Sequence, residues 1–253
     1  MWTMNNLQKY SQTNYDIFIG SDFMKKILSI LLLLLIIFPT KPYAEEIENE
    51  KIIYLTFDDG PGAKVTENIL DILKSENINA TFFLIGNQIK DQEDLVKRIN
   101  DEGNAIGLHS MSHSKNKLYS CNENFINEMF EEQILLENIL QKKIFLLRFP
   151  FGCNNTNYHL KKSLVDDLHN KGFKIYDWNA DSTDGANANA PVQTIVKRAK
   201  SDKDTIYLLM HCGFINKNSA KALPEIIKYY KDNGYTFKVI TEDTPEIFHY
   251  IEK

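Results

Sequence analysis

The sequence has 253 residues, 43% of them hydrophobic, with 29 basic and 34 acidic side chains and a net charge of −5. This length is sufficient for one sizeable core. The mildly acidic balance gives no electrostatic reason to expect a nucleic-acid partner, and we expect none. The sequence shows no low-complexity tract or internal repeat, which excludes a repeat architecture.

Residues 24–44 have the composition of a secretory signal. Lys25 and Lys26 give a positively charged start, residues 27–38 form an apolar run, and Ala44 ends the segment on a small residue. We expect export, to a secreted form or to the outer face of the cell membrane and cell wall. The alternative to cleavage is an uncleaved anchor, in which residues 27–38 associate with the membrane.

The other residues divide into three parts. Residues 1–23 are polar and aperiodic, and we interpret them as a non-native upstream extension. Residues 45–51 are interpreted as a linker, and residues 52–253 as a single α/β domain. Predicted strands cover 52–57, 80–85, 105–108, 144–149, 173–177, 205–210 and 236–240. Predicted helices cover 65–76, 91–101, 122–141, 157–171, 191–200 and 220–232. Short apolar strands that alternate with helices predict about seven parallel strands, in an open sheet or a barrel.

Ionisable side chains follow five of the predicted strands. These segments are 58–61, 109–113, 148–152, 177–185 and His211. Because the carboxyl ends of parallel strands share one edge of a sheet, we expect all five segments on one rim.

His109 and His113 are spaced like metal ligands. On a helical turn, a spacing of four residues brings both imidazoles to one side, and neutral imidazole is a good ligand for zinc-like ions. One carboxylate from Asp58 or Asp59 would complete a set that leaves a position for water, as in catalytic sites. The other aspartate would then be free to act as a base.

The segments TFDDG, HSMSH, RFPFG, DSTDG and LMH resemble, in order and spacing, the five motifs of the polysaccharide deacetylases, which are NodB-homology carbohydrate esterases. The resemblance covers about residues 52–245. It implies a distorted (β/α) barrel that hydrolyses N-acetyl groups on amino-sugar polymers. It also implies one divalent metal ion, usually zinc, with cobalt or manganese as alternatives.

The resemblance assigns roles residue by residue. Asp58 matches the general base of the family, and Asp59, His109 and His113 match its metal ligands. Arg148 matches the arginine that pairs with the base, and its guanidinium would hold Asp58 ionised.

Four further positions match the substrate and acid side of the family site. Phe151 stands where the family usually has tyrosine, and its backbone N–H would still contribute to the oxyanion hole. His211 matches the general acid, and Leu209 matches a leucine that lines the pocket for the acetyl methyl. Asp184 matches the carboxylate partner of His211, with Asp181 as the alternative.

The chain departs from the family pattern after Asp184, where a tryptophan often walls the groove and Gly185 stands here. We expect either a wider groove or substitution of that wall by Trp178. This departure affects sugar specificity more than chemistry.

The three cysteines are an odd number for an exported chain, so at least one is expected to be free or paired between chains. Cys153 and Cys212 each follow a motif, and a disulfide between them is one arrangement that neighbouring rim loops would allow.

Two classes of function remain open at this point. The first is a metal-dependent enzyme, expected as a monomer, that deacetylates an N-acetylated glycan, with peptidoglycan favoured over chitin oligomers, exopolysaccharide or O-acetyl xylan. The second is an inactive protein that binds wall glycans. The presence of Asp58 and His211 favours the enzyme, because binding alone requires neither a base nor an acid.

Overall fold

The computed structural model describes residues 25–26, 50–155 and 158–250. Apart from its two lysines, the predicted signal at 24–44 lies outside the described residues, as do the extension at 1–23 and most of the linker. Within the described ranges, no helix is both long enough and apolar enough to cross a bilayer.

Ten strands and eight helices lie between residues 50 and 250. The strands are β1 (Ile52–Gly60), β2 (Thr81–Leu84), β3 (Ala105–Leu108), β4 (Leu146–Leu147), β5 (Asn154–Asn155), β6 (Tyr158–His159), β7 (Lys174–Ile175), β8 (Ala180–Asp181), β9 (Thr205–His211) and β10 (Thr236–Lys238). The helices are α1 (Lys64–Glu76), α2 (Gly86–Ile89), α3 (Glu93–Asp101), α4 (Lys115–Leu118), α5 (Asn122–Leu140), α6 (Lys162–Asn170), α7 (Val192–Ala199) and α8 (Lys217–Asp232).

Eight of these strands form one sheet, in the order β7-β4-β3-β2-β1-β9-β8, with β10 added to β1. All pairings within this sheet are parallel. Residues 53–57 of β1 are all buried, so both faces of the strand are covered, as its mostly apolar sequence predicts. Strands β5 and β6 form a separate antiparallel pair.

The helices cover the sheet with one apolar face each. In α1, the buried residues Val65, Ile69 and Leu73 recur every four positions and lie on one side of the helix. The helix ends at Asn77, which adopts the left-handed conformation and donates its backbone N–H to the carbonyl of Leu73.

The predicted elements and the observed ones differ at three places. The predicted strands 144–149 and 173–177 shrink to the two-residue strands β4 and β7, and β8 was missed. The predicted helix 157–171 begins only at Lys162, because residues 158–159 pair with 154–155 as a hairpin. The short helices α2 and α4 were also missed, since they are too short to show a periodic pattern.

The polar segments meet at one rim, as predicted, because β1, β3, β4 and β9 are parallel strands of one sheet. Their carboxyl ends lie at the same edge. The polar segment after each of these strands therefore opens onto that edge, where the candidate site is found.

Candidate metal centre and acid–base site

A cavity of about 370 Å³ at this edge contains most of the predicted site residues. Its lining consists of Asp58, Asp59, His109, His113, Phe151, Trp178, Asp181, Gly185, Ala186, Leu209 and His211. The structure therefore brings together side chains from five separate segments, as the sequence predicts. Arg148 and Asp184 are fully buried, each hydrogen-bonded to a residue of this lining.

Size alone does not locate the site. A groove of about 520 Å³ between α1 and α8 is larger, but it is lined by aliphatic side chains, three lysines and a single carboxylate, that of Asp71. That lining contains no histidine and no acid–base pair.

Asp59, His109 and His113 form a group suited to a cation. Asp59 Oδ1 lies 3.5 Å from the Nε2 atom of each histidine, and one ligand atom from each residue lies within 4.8 Å of the others. Asp59 Oδ1 is buried and has no hydrogen-bond partner among the described residues. A buried carboxylate oxygen that faces two imidazole nitrogens and has no donor fits a bound divalent ion.

The backbone carbonyl of Arg148 determines the tautomer of His109. Its Nδ1 lies 3.0 Å from the backbone carbonyl of Arg148, to which it donates, so Nε2 is left as the atom that accepts. Burial, with a smaller contribution from His113, lowers the pKa of His109 to about 3. The imidazole is therefore neutral, which is the form that binds metals.

The loop that carries both histidines is not a helical turn, so that part of the sequence argument is wrong. Residues 109–113 follow β3 as an irregular loop, in which Ser110 and His113 have φ values of 74° and 53°. The two imidazoles still approach each other, with ring centroids 5.1 Å apart. The convergence comes from left-handed backbone rather than from helical periodicity.

The paired aspartates point in different directions because the chain turns between them. Asp59 has a φ of 64°, in the left-handed region that aspartate tolerates better than most residues. The register between β1 and β2 also shifts between Phe57 and Gly60. As a result Asp58 is only 3% exposed and pairs with Arg148, with its other oxygen 3.7 Å from His109 Nε2, while the partly exposed Asp59 faces both histidines.

Arg148 is fully buried and holds Asp58 in place. Its guanidinium donates to Asp58 Oδ1 (2.8 Å), Thr56 Oγ1 (2.7 Å), the Tyr176 carbonyl (2.8 Å) and the Asp177 carbonyl (3.0 Å). Burial raises the pKa of Asp58, and the charge of Arg148 opposes this without cancelling it. The pairing predicted from the sequence is present, and the expectation that Arg148 holds Asp58 ionised stays a prediction. A cation beside Asp59 would act in the same direction as Arg148.

His211 pairs with Asp184 rather than with Asp181. Asp184 Oδ1 lies 2.7 Å from His211 Nδ1, and its Oδ2 accepts the His211 backbone N–H (2.8 Å) and the Ser219 hydroxyl (2.6 Å). Burial acts to lower the pKa of His211, but the hydrogen bond and charge of Asp184 outweigh it and raise the pKa to about 9. Burial opposes ionisation of Asp184, yet its contacts with His211 leave its pKa below the ordinary value.

Asp181 and Gly185 both line the cavity but make different contacts. Asp181 Oδ1 accepts the backbone N–H of Thr183 at 2.6 Å. A Cβ atom on Gly185 would lie 2.3 Å from Cε1 of the His211 ring, so any side chain there would require the ring to move. Gly185 stands where the family often has tryptophan, and its backbone packs closely against the His211 imidazole.

The remaining predicted residues lie around the mouth of the cavity. Phe151 is 48% exposed, and its ring centroid lies 4.6 Å from that of His113. Leu209 is buried on β9 and lines the cavity. Trp178 also lines the cavity and packs over Gly152, where a Cβ atom would lie 2.9 Å from its ring. The roles given to these residues stay predictions.

The three cysteines are free, so the suggested Cys153–Cys212 disulfide is not formed. Cys212 is buried behind the base, with Sγ 3.4 Å from the carbonyl of Asp58. Cys153 is buried beside Asp177, whose carboxylate accepts the Cys153 backbone N–H at 3.2 Å.

Sequence reasoning missed several residues that support the site. Thr56 and Ser219 bind Arg148 and Asp184 through hydroxyl groups, and Glu128 and Glu132 contact the histidine loop from α5. Thr56 lies inside the TFDDG segment, which was a usable signal. Ser219 and the glutamates lie outside all five motifs, and no spacing points to them.

Comparisons with known proteins agree with this geometry. The family described as polysaccharide deacetylase matches residues 45–166. A peptidoglycan-N-acetylglucosamine deacetylase of Bacillus cereus is 40% identical over 206 residues, which cover 78% of this chain and 72% of the relative. The putative polysaccharide deacetylase YheN of Bacillus subtilis is 36% identical, with 77% and 68% covered.

Solved structures extend the agreement to the fold. The polysaccharide deacetylase Bc1974 from Bacillus cereus superposes with a TM-score of 0.67 at 39% identity, covering 78% of this chain and 95% of that one. The catalytic domain of a peptidoglycan N-acetylglucosamine deacetylase from Eubacterium rectale gives 0.73 at 29% identity, with 81% and 96% covered. The chain belongs to the polysaccharide deacetylase family and has its distorted barrel. It is a hydrolase of carbon–nitrogen bonds other than peptide bonds.

The first prediction concerns the cation group. We expect His113→Ala to weaken zinc binding by more than about tenfold, because it removes one of three ligands rather than a group behind a ligand. Elemental analysis after zinc loading and desalting measures retention. His159→Ala, at an exposed histidine outside the cavity, is the control. Full zinc retention in the His113 variant would contradict the assignment.

Proposed function

We propose that this chain removes N-acetyl groups from the amino sugars of peptidoglycan and that Asp59, His109 and His113 hold one zinc ion for this reaction. The names of the relatives, which include peptidoglycan N-acetylglucosamine and N-acetylmuramic acid deacetylases, support the substrate. The group of one carboxylate and two imidazoles supports zinc over harder ions, with cobalt as the closest alternative.

The observation that carries the proposal is the position of an acid and a base around one cation group. Asp58 and His211 are register partners on the neighbouring strands β1 and β9, and both line the cavity. Asp58 is held by a buried guanidinium and His211 by a buried carboxylate. These opposite partners favour an ionised carboxylate on one strand and a protonated imidazole on the other.

The roles of the residues follow from these charge states. A divalent cation, when bound, supplies a Lewis acid that polarises the acetyl carbonyl and lowers the pKa of water. Asp58 accepts the proton of the attacking water, and its fixed contact with Arg148 keeps the accepting oxygen oriented. His211 donates its proton to the amide nitrogen as the carbon–nitrogen bond breaks, so that the amine leaves neutral and acetate remains.

The acetyl group is oriented by the remaining cavity residues. Leu209 offers an apolar surface for the methyl group, and the Phe151 backbone N–H is the donor we assign to the developing oxyanion. Trp178 gives an aromatic wall on which a sugar ring can stack. Gly185 and Ala186 leave the neighbouring part of the wall without large side chains.

The second prediction tests the substrate. Incubation of the full chain and zinc with purified peptidoglycan should release acetate, and mass spectrometry of the muropeptides should show loss of acetyl groups. Chitin oligomers and acetylated xylan, assayed in parallel, test the rival substrates. Acetate release from only one of these glycans would identify that glycan, in place of peptidoglycan, as the substrate. Binding of glycan with no acetate release would support the alternative of an inactive binding protein.

The third prediction separates base from ligand. Asp58→Asn should retain zinc and lose turnover by about two to four powers of ten, the usual contribution of a general base. Zinc content and the rate constant kcat are measured on the same preparation. If zinc is lost together with activity, Asp58 and Asp59 have been assigned the wrong way round.

The fourth prediction concerns pH. Activity requires protonated His211, so it should fall as pH rises through about 9, the pKa to which Asp184 raises this histidine. Asp184→Asn removes the charge that raises the pKa, so the alkaline limb of the rate profile should move to lower pH. Asp181→Asn is the matched control and should move that limb much less. The opposite ranking of the two variants would assign the partner to Asp181.

The fifth prediction concerns location. We propose that the chain is exported, because residues 24–44 combine two lysines, an apolar run and a small terminal residue. Cell fractionation of the natural host, with intact mass measurement, should find the protein outside the cytoplasm. A mass that begins after Ala44 would support cleavage, whereas a membrane-bound form that keeps residues 27–38 would support an anchor. A cytoplasmic protein that retains residues 24–44 would contradict export.

A further inference from the structure

The loop that presents the two histidines has an unusual backbone. Within residues 109–113, Ser110 and His113 both have positive φ values. One hydrogen bond within the loop, from the His113 N–H to Ser110 Oγ at 2.8 Å, closes the turn. Non-glycine residues in this region are held by their surroundings rather than by local preference. The surroundings must therefore supply the contacts that fix this loop.

Helix α5 supplies two of these contacts through carboxylates. Glu132 Oε2 accepts the backbone N–H of His109 at 2.9 Å, a donor that is shared with the carbonyl of Leu84. Glu128 Oε2 accepts the backbone N–H of Ser112 at 2.7 Å. Both oxygens bind main-chain donors, so the contacts fix the path of the loop and not the rotation of any side chain.

The two glutamates lie one helical turn apart and are both buried, Glu132 completely and Glu128 with 7% exposure. Their neighbours on the same buried face include Phe125, Met129 and Leu136. Glu132 Oε1 has no hydrogen-bond partner among the described residues. Burial of a carboxylate in such surroundings is unfavourable unless its contacts compensate. Packing alone would favour an apolar residue at both positions.

The opposite side of the loop is bound by main chain. The N–H groups of Gly86 and Asn87 donate to the carbonyls of Ser110 and Met111 at 3.1 and 2.8 Å. Gly86 permits this approach, since a Cβ atom there would lie 3.1 Å from Cα of Met111. The loop is thus held between backbone donors of α2 and acceptors of α5, which are the two carboxylates and the backbone carbonyl of Glu128, bound by the Met111 N–H at 3.2 Å. Of these, only the carboxylates can be removed by substitution.

We propose that Glu128 and Glu132 are positioning residues that hold the histidine loop in the conformation that directs His109 and His113 at the cation. This inference rests on the proposed metal site. Helix α5 contributes no metal ligand and no cavity-lining residue. In this proposal it nevertheless controls the metal affinity of the site. Groups behind metal ligands typically change metal affinity by about 10–100-fold when they are removed.

The experiment uses the full chain and zinc as the probe. Glu132→Met and Glu128→Met remove the acceptors but keep a side chain of similar length, while Glu132→Gln and Glu128→Gln retain an oxygen that can accept from the loop. Glu131→Met, at an exposed position on the same helix, is the matched control. Zinc affinity is measured by competition with a chelator, and far-UV circular dichroism confirms folding. The visible spectrum of the cobalt-loaded protein reports ligand geometry independently of activity.

We expect each methionine variant to bind zinc about 10–100-fold more weakly and to change the cobalt spectrum. The glutamine variants and Glu131→Met should stay close to the wild type. Should a methionine variant fail to fold, Glu132→Asp and Glu128→Asp provide the test, because they keep a carboxyl group but withdraw its oxygen from the loop.

Two outcomes separate this inference from the proposed function. If the wild-type chain binds no zinc or cobalt, the proposed metal site fails and the positioning role fails with it. If the wild type binds zinc and folded methionine variants bind it equally well with an unchanged cobalt spectrum, only the positioning role is overturned.

Discussion

The buried guanidinium of Arg148 is the interaction on which the site depends. A charge with no solvent contact is tolerated only when its donors are paired, and Arg148 pairs with a carboxylate, a hydroxyl and two carbonyls. Its own backbone carbonyl accepts from His109 Nδ1. This one residue, directly after β4, therefore orients the base through its side chain and a predicted metal ligand through its main chain. Movement of this segment would disturb both groups together.

The second constraint is the turn between Asp58 and Asp59. Two adjacent carboxylates would repel each other if they shared one environment. The left-handed backbone at Asp59 separates them, so that Asp58 contacts the buried guanidinium of Arg148 and Asp59 faces the imidazoles of His109 and His113. The two aspartates therefore have different surroundings although their side chains are identical. The backbone conformation at Asp59 determines this difference.

The sequence predicted the site better than it predicted the strands. The five polar segments were recognised because parallel strands end at one edge, a rule that does not require exact strand bounds. Strands β4 and β7 have only two residues each, and the local apolar pattern does not report where each strand ends. The loop conformation at Ser110, the choice of Asp184 over Asp181 and the contacts of Glu132 depend on tertiary geometry. No spacing in a single sequence encodes them.

The distribution of the three thiols has a practical consequence. Cys153 and Cys212 are completely buried, whereas Cys121 is exposed at the residue that precedes α5. A maleimide or spin label would therefore react at one place in the folded protein, at the start of the helix that carries Glu128 and Glu132. Labelling there reports on the motion of α5 without any engineered cysteine and without chemical modification of the reaction centre.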